Sequence, residues 1–501
     1  MNPINYLMEL IPGYSILKPT PIELTAIKNR WVIRNVTVID MIKGSAPKIC
    51  DVLISGNKIT DIYPTAKTNG IMEGEVIDGT GKFLIPSLID SHCHITNYIR
   101  YWMENLYIAA GVTSVRDMAT PKAFWKILDP GGNLNNPQFK GPRIFPVAGF
   151  FDGDPGVFGW AIIPKNRDEV IRYLDEIVDC GISAIKLYSY LKKDMFEIIV
   201  KEAAKRNLYI AGHVPLAVDM IEAAQIGMNE FEHYLGVPET ILGIRDSNFM
   251  KNIRFQGHYW LKLKDKTFEL RKLAAKMKEY QTVHVPTISV VRGMSCVNAP
   301  QLMHDYRHQF VSEIIINLLW SKNFPGMNTI KDTDFESMRN SFLISTQYTQ
   351  ILKEEGVTIL AGTDSPVTFS IPGFSIHDEL KLLVKYAGFK PEEALASATR
   401  EASKVIGVEN KIGTIRQGMI ADMVLLDKNP LEDIENVSKI NMVIFNGKIA
   451  KKEEIDAKLS KMSKEYYSYF SRKILNPILT YFFNYILKLA IPSQSIPQNK
   501  S

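Results

Sequence analysis

The chain has 501 residues, of which 46% are apolar, 23% charged and 10% aromatic. These fractions are ordinary for a folded globular protein and exclude a disordered or collagen-like chain. The formal net charge of +5 is too dilute over this length to favour nucleic-acid binding, so we predict no nucleic-acid partner. The four cysteines form no Cys-x-x-Cys pair, which predicts neither a disulfide framework nor a thiolate zinc site.

The two ends of the chain bear on its location. The amino terminus lacks the basic region, compact apolar core and small-residue cleavage site of a secretory signal, so we predict a cytoplasmic protein. An apolar run over residues 474–487 is shorter than the roughly 20 residues that a bilayer-spanning helix needs. For residues 472–489 we therefore expect packing against the fold, association between two copies of the chain, or contact with a membrane surface as an amphipathic anchor.

Two β-rich segments flank the middle of the chain. Residues 31–84 carry β-branched, period-two runs that are broken at Gly44 and at Gly56-Asn57. Residues 407–450 continue in the same style and contain Asn446-Gly447, a strong two-residue hairpin signal. We predict that 31–84 and 407–450 form one composite β domain, with residues 1–30 and 451–501 as extensions.

Between these segments, over residues 85–406, strand-like runs alternate with helical patterns such as 168–178, 194–204 and 392–406. The first run already begins at Phe83, and in chain order the runs are FLIPSLIDSHCHI, GVTSVRDM, PRIFPVAGF, ISAIKLYSY, LYIAGHVP, MNEFEHY, TVHVPTIS and VTILAGTDSP. Eight alternations predict an α/β protein with a (β/α)₈ TIM barrel, whose catalytic residues lie at the carboxyl ends of the strands.

Side chains that can bind a metal lie near the carboxyl ends of four of these runs. They are His92, His94, His213, His233 and Asp364. His92 and His94 point the same way, because side chains alternate along a strand. A lone histidine is more often a satisfied core or surface residue, but four at strand ends favour a shared site. Imidazole and carboxylate donors without thiolate suit zinc or a similar divalent ion.

Five further residues have less specific signals. Lys186 lies in an otherwise apolar strand, where a bare ammonium would be costly, so it is neutral, paired or chemically modified. Tyr188 shares its inward face and is a candidate substrate-binding residue, with rim packing as the alternative. His377 is a second such candidate, since Ser375 and Asp378 predict a helix start there. At the end of the second strand, Arg116 and Asp117 suggest a structural ion pair.

Several stretches resemble the amidohydrolase superfamily, in particular its imidazolonepropionase-like and prolidase-like metal-dependent hydrolases. They cover about residues 31–450 and include LIPSLIDSHCH, IKLY, GHV, FEHY, ILAGTDSP and IGTIRQGMIADMVLLDKNPLEDI. The resemblance implies a barrel flanked by a composite β-sandwich, and a binuclear site with two divalent ions, most simply Zn²⁺. It implies that His92, His94 and Asp364 hold one ion, that His213 and His233 hold the second, and that a CO₂-derived carbamate on Lys186 bridges them.

The activity implied by the resemblance is hydrolysis of a carbon–nitrogen (amide) bond in a small-molecule substrate. A metal-bridging hydroxide attacks the carbonyl, and Asp364 carries the proton to the leaving amine. Alternatives are a lactone, ester or organophosphate hydrolase on the same site, a mononuclear deaminase, which Lys186 disfavours, and an inactive metal-bearing binding scaffold. The loop FFDGDPGVFGW departs from the family pattern, so the substrate itself stays open.

Overall fold

The computed structural model describes residues 20–27, 29–65, 75–96, 100–126, 141–245, 256–322 and 327–468. The strands in chain order are β1 (Arg30–Val38), β2 (Lys48–Ser55), β3 (Lys58–Pro64), β4 (Glu75–Asp78), β5 (Phe83–Pro86), β6 (Leu88–Cys93), β7 (Val112–Thr120), β8 (Arg143–Phe151), β9 (Ala184–Leu187), β10 (Tyr209–Gly212), β11 (Glu230–Glu232), β12 (Val283–Val285), β13 (Thr358–Ile359), β14 (Met423–Leu426), β15 (Ile440–Phe445) and β16 (Lys448–Lys451).

The helices lie between and after the strands. They are α1 (Arg100–Ala109), α2 (Arg167–Asp179), α3 (Lys193–Ala204), α4 (Met220–Ile226), α5 (Val237–Leu242), α6 (Thr267–Glu279), α7 (Ile288–Ser295), α8 (Glu313–Leu319), α9 (Asp332–Glu354), α10 (Phe374–Ala387), α11 (Pro391–Ser397), α12 (Arg400–Ile406) and α13 (Lys452–Tyr466).

The strands β6 to β13 form one sheet in which each strand pairs in parallel with the next along the chain. Backbone hydrogen bonds join its two ends: the N–H of Ser91 donates to the carbonyl of Ala361 at 3.0 Å, and the N–H of His94 donates to that of Ser365 at 2.8 Å. The sheet is therefore closed, and the predicted TIM-like barrel is confirmed at this level. Its strand ends position the site described below.

A second sheet takes strands from both ends of the chain, in the order β16-β15-β14-β5-β1-β2-β3, with β4 paired to β1. The strand β14 is buried on both faces, which explains its uninterrupted apolar sequence. Met423 and Leu425 pack into this sheet's own core, whereas Val424 and Leu426 join the main core of the barrel. The predicted segments thus meet in one sheet, while its packing as a two-layer sandwich stays a prediction.

The first predicted strand is in fact two. The run from Phe83 to Ile95 divides at Ser87 into β5, which belongs to the second sheet, and β6, which opens the barrel. The Ser87 N–H donates to the carbonyl of Asp422 at 3.1 Å, so the crossing point is tied to the segment that enters β14. Both halves are apolar because both are buried, and periodicity alone does not separate them.

The single helix predicted over 392–406 is two helices, α11 and α12, because the helical backbone is interrupted at Thr399. Thr399 has φ −139° and ψ −96°, outside the helical region. Its hydroxyl donates to the carbonyl of Leu395 at 2.6 Å, a local bond that competes with helix continuation.

The carboxyl-terminal extension is helical where the structure describes it, as α13. Residues 472–489, for which packing, dimerisation or membrane contact was predicted, lie outside the described residues. Within the described part of the chain, no helix combines the length and apolarity needed to cross a bilayer.

Candidate metal centre

The predicted ligands converge on the carboxylate of Asp364, in the segment that follows β13. Its Oδ1 lies 2.9 Å from Nε2 of His94 and 3.3 Å from Nε2 of His92, at the end of β6. Its Oδ2 lies 3.9 Å from Nε2 of His233, directly after β11. Three separate barrel strands therefore deliver nitrogen and oxygen donors to one point.

His213, directly after β10, completes the histidine cluster. Its ring centroid lies 5.1 Å from that of His233, which in turn lies 4.8 Å from that of His92. His92, His233 and Asp364 each offer one atom that could bind a metal, and these three atoms lie within 4.8 Å of one another. These three residues come from both of the predicted ligand sets, so Asp364 lies where the two sets meet.

The pKa shifts in the cluster favour the deprotonated side chains that bind a metal. Burial would raise the pKa of Asp364, but the neighbouring His233 and His92 outweigh it and hold that pKa well below its usual value. Burial lowers the pKa of His213 and of His233 well below the usual range. An ionised carboxylate and neutral imidazoles bind a divalent ion without first losing protons, so the donor set fits one.

Lys186 lies in β9 and is only 1% exposed. Its Nζ is 3.3 Å from Nε2 of His92 and 5.4 Å from the centre of the Phe150 ring. No carboxylate among the described residues lies within ion-pair distance of this amine. Burial lowers the pKa of Lys186, against the opposing charges of Glu232 and Asp364. The side chain is thus a buried amine beside the ligands, with a reduced tendency to be protonated.

Polar side chains that the sequence analysis missed orient the histidine rings. Nδ1 of His92 lies 2.5 Å from Oε2 of Glu232, and Nδ1 of His233 lies 2.7 Å from the hydroxyl of Thr287. In both rings this contact leaves Nε2 facing Asp364, which is how outer partners orient metal-binding histidines. The sequence did contain one sign of such partners. Glu230 and Glu232 are two residues apart in the short buried strand β11, so their carboxylates point to the same face.

Arg116 and Asp117 lie in the middle of β7, which continues to Thr120, and Arg116 forms the expected structural ion pair with a residue of another strand. Arg116 and Asp117 point to opposite faces, because they are neighbours on a strand. Nη1 of Arg116 donates to Glu230 at 2.9 Å, and a second bond from Nη2 makes the pair bidentate. Asp117 instead accepts bonds from the hydroxyls of Thr96 and Thr120. Nη2 of Arg116 also lies 3.7 Å from Oε1 of Glu232. Arg116 therefore contacts both carboxylates of β11, including the one that is next to His92.

Two of the predicted ligands have backbones in the left-handed region: φ is +58° at His233 and +55° at Asp364. Non-glycine residues rarely adopt this conformation, and such strain is concentrated at functional sites. His233 directly follows β11, and Asp364 lies in the segment after β13, so in both cases the backbone turns beyond a strand end and the side chain enters the cluster.

The two predicted substrate-binding residues lie in different places. The ring of Tyr188 stacks on that of His213, with centroids 4.2 Å apart. His377 lies in α10, where its Nε2 donates to the carbonyl of Ala110 at 2.8 Å, just before β7 begins. The structure thus brings Tyr188 to the cluster and holds His377 near the amino end of a barrel strand. Contact of either residue with substrate stays a prediction.

The capping box predicted beside His377 is wrong. The helix α10 begins at Phe374 with Gly373 as its N-cap, so Ser375 is already helical. The hydroxyl of Ser375 accepts the N–H of Ile371 instead, and Asp378 pairs with Arg307.

The model of the amidohydrolase family matches residues 83–450. Among curated proteins, the chain is similar to ochratoxinase from Aspergillus niger, with 24% identity over 249 residues, which are 50% of this chain and 38% of that protein. It is also similar to imidazolonepropionase from Flavobacterium psychrophilum, with 23% identity over 403 residues, which are 76% of this chain and 86% of that one. The chain thus spans well under half the length of the ochratoxinase that it matches.

Solved structures share the fold. Bottromycin amidohydrolase matches with a TM-score of 0.67 at 19% identity, covering 92% of this chain and 94% of that one. The structure of A. niger ochratoxinase matches with a TM-score of 0.57 at 19% identity, covering 84% of this chain and 96% of that one.

Proposed function

Because the chain belongs to the amidohydrolase family, we propose that it is a binuclear metal-dependent hydrolase that cleaves an amide carbon–nitrogen bond of a small molecule. The observation that carries this proposal is the cluster around Asp364, where donors from separate strands lie within 2.9 to 3.9 Å of one carboxylate. The lowered pKa of Asp364 and those of the surrounding imidazoles support the same function.

The ligands divide between two ions in this proposal. His92, His94 and Asp364 would hold one, and His213 and His233 would hold the second. Nitrogen and oxygen donors without thiolate favour zinc. When bound, the ions supply Lewis-acid activation of water and of the substrate carbonyl.

Lys186, as a carbamate, would supply ligand oxygens to both ions in this proposal. The unprotonated amine attacks CO₂, a nitrogen–carbon bond forms, and one proton leaves, so that a potential cation becomes an anion with two ligand oxygens. Beside two divalent ions an anion is favoured and an ammonium is not. Support comes from the burial of Lys186, its lowered pKa and its 3.3 Å contact with His92.

Asp364 carries the proton. Its carboxylate accepts a proton from the attacking water while the water oxygen bonds to the carbonyl carbon. It then returns that proton to the amine nitrogen as the carbon–nitrogen bond breaks, so protons balance over the cycle. The lowered pKa of Asp364 supports an ionised resting state, which is the form that can accept a proton.

The test is a product screen by liquid chromatography. The purified protein, stripped of metal or loaded with zinc and bicarbonate, is incubated with N-acyl amino acids, dipeptides, lactones and phosphotriesters. We expect amide cleavage only in the loaded protein, loss of it in His213→Ala, and retention in His304→Ala, a matched change at an exposed histidine. Cleavage of lactones or phosphotriesters alone would replace the amide proposal. Fully loaded protein that cleaves nothing would indicate a binding scaffold.

A further inference from the structure

Four aromatic side chains form a continuous wall beside the metal centre. They are Phe150, Phe158, Trp160 and Tyr188, hereafter the aromatic wall. Its inner members touch the ligands: the Tyr188 ring stacks on His213 at 4.2 Å, and the Phe150 ring stacks on His94 at 6.1 Å. The wall thus begins at the ligands of both proposed ions.

The wall extends outward from the inner pair. Phe158 packs against Phe150 with centroids 5.2 Å apart, and Trp160 stacks on Phe158 at 4.9 Å with an angle of 12° between the rings. Phe150 and Tyr188 are buried, whereas Phe158 and Trp160 are only half-buried. Large aromatic rings that stay partly exposed at the rim of a polar site leave apolar area for a ligand to cover.

The loop that carries the outer pair is held in place. Backbone bonds between residues 150–152 and Ile162 close it at its base. Inside, the buried carboxylate of Asp152 accepts the N–H groups of Gly153, Val157 and Tyr190 at 2.9, 2.8 and 2.6 Å. Burial raises the pKa of Asp152 to about 6, against the opposing effect of these N–H groups. The outer rings therefore have a fixed position before any ligand arrives.

We propose that the aromatic wall binds an aromatic or large apolar group of the substrate, and so selects amides that carry such a group next to the scissile bond. The proposal rests on the proposed amide hydrolysis and names its substrate class. The wall itself bears no charged side chain, and the carboxylate of Asp152 is engaged by three backbone N–H groups. Stacked and edge-on contacts with a planar ring are the interactions that such a surface offers.

The test compares matched pairs of N-acyl amino acids. N-benzoylglycine against N-acetylglycine varies the acyl side, and N-acetylphenylalanine against N-acetylalanine varies the amine side. In the zinc-loaded parent protein we expect kcat/KM to favour the aromatic member of at least one pair by about tenfold or more, the effect of burying a phenyl group. Calorimetric binding of the same compounds gives a second measurement, independent of turnover.

Phe158→Ala and Trp160→Ala should each bring the ratio of kcat/KM between the aromatic and the small member of a pair towards one. Phe268→Ala removes a ring that is 78% exposed on α6 and should leave this ratio unchanged. The ratio within one variant does not depend on how much of that variant is folded. Equal kcat/KM within both pairs, or a preference that survives both wall substitutions, would overturn the proposal while amide hydrolysis stands. If none of these four compounds is cleaved, the wider product screen decides on the hydrolase proposal, and the calorimetric ratios decide on the wall in the same way.

Discussion

Oε2 of Glu232, in the sixth barrel strand, lies 2.5 Å from Nδ1 of His92, in the first. Glu232 immediately precedes His233, so one of two adjacent residues contacts the His92 ring and the other is a predicted metal ligand. Glu232→Gln preserves shape but removes the charge that holds the His92 ring. We expect zinc affinity to fall by about 10- to 100-fold, measured by competition with a chelator. An affinity equal to that of the parent and of the exposed-site control Glu279→Gln would contradict this role.

Lys186→Ala should remove most activity and one of the two ions, because the proposed bridge is lost. Short carboxylic acids such as acetate or propionate should restore part of both, since they can supply two oxygens in the vacated space. Elemental analysis and the rate of amide hydrolysis provide the measurement, with the exposed Lys201→Ala as control. Wild-type metal content and activity without added acid would show that Lys186 bridges nothing.

Asp364→Asn separates two proposed roles of one side chain. The amide keeps one oxygen ligand but cannot accept the proton, so turnover should fall by roughly 10²- to 10⁴-fold while most metal remains. Parallel metal analysis and kinetics on the loaded variant measure both effects. Full turnover with full metal would exclude Asp364 as the proton carrier.

Glu379 provides a stability prediction away from the metal centre. Its carboxylate accepts the N–H groups of Ile288 and Ser289 at the start of α7, at 2.9 and 2.7 Å. Burial raises its pKa from 4.5 to about 7, against the opposing effect of these N–H groups. Between these values the folded state binds more protons than the unfolded state, so the stabilisation from Glu379 is lost as pH rises.

We therefore expect the parent protein to lose roughly 1 to 3 kcal/mol relative to Glu379→Gln between about pH 5 and pH 8. The difference in melting temperature between the two proteins at each pH measures the trend, and a difference that does not vary with pH would contradict it.

The barrel could be predicted from the sequence because its eight strands are short, apolar and separated by amphipathic helices. The cluster of histidines and Asp364 could be predicted because these residues lie at or beyond the ends of those strands, and their role as metal ligands stays a prediction. Periodicity could not separate β5 from β6, since both are buried and only Ser87 marks the crossing. The break at Thr399 was missed because its cause is a side-chain bond to the backbone, which the apolar spacing does not reveal.

Side-chain contacts between distant barrel strands could not be predicted from the sequence. Glu232 and His92 are 140 residues apart, and Arg116 and Glu230 are 114 apart, so no local pattern connects them. The same holds for Thr287, whose hydroxyl contacts His233 from the strand-end region that follows β12. The alternation of side chains along a strand does predict that Arg116 and Asp117 point to opposite faces of the sheet, and therefore that each needs a partner on another element.

The most direct test of the binuclear amidase is a zinc titration of the metal-free protein in bicarbonate, with the initial rate of N-acyl amino acid hydrolysis followed against bound zinc per chain. We predict that the rate rises to its maximum as the second ion binds and then stays constant. A maximum at one ion per chain, or no hydrolysis with two ions bound, would contradict the account.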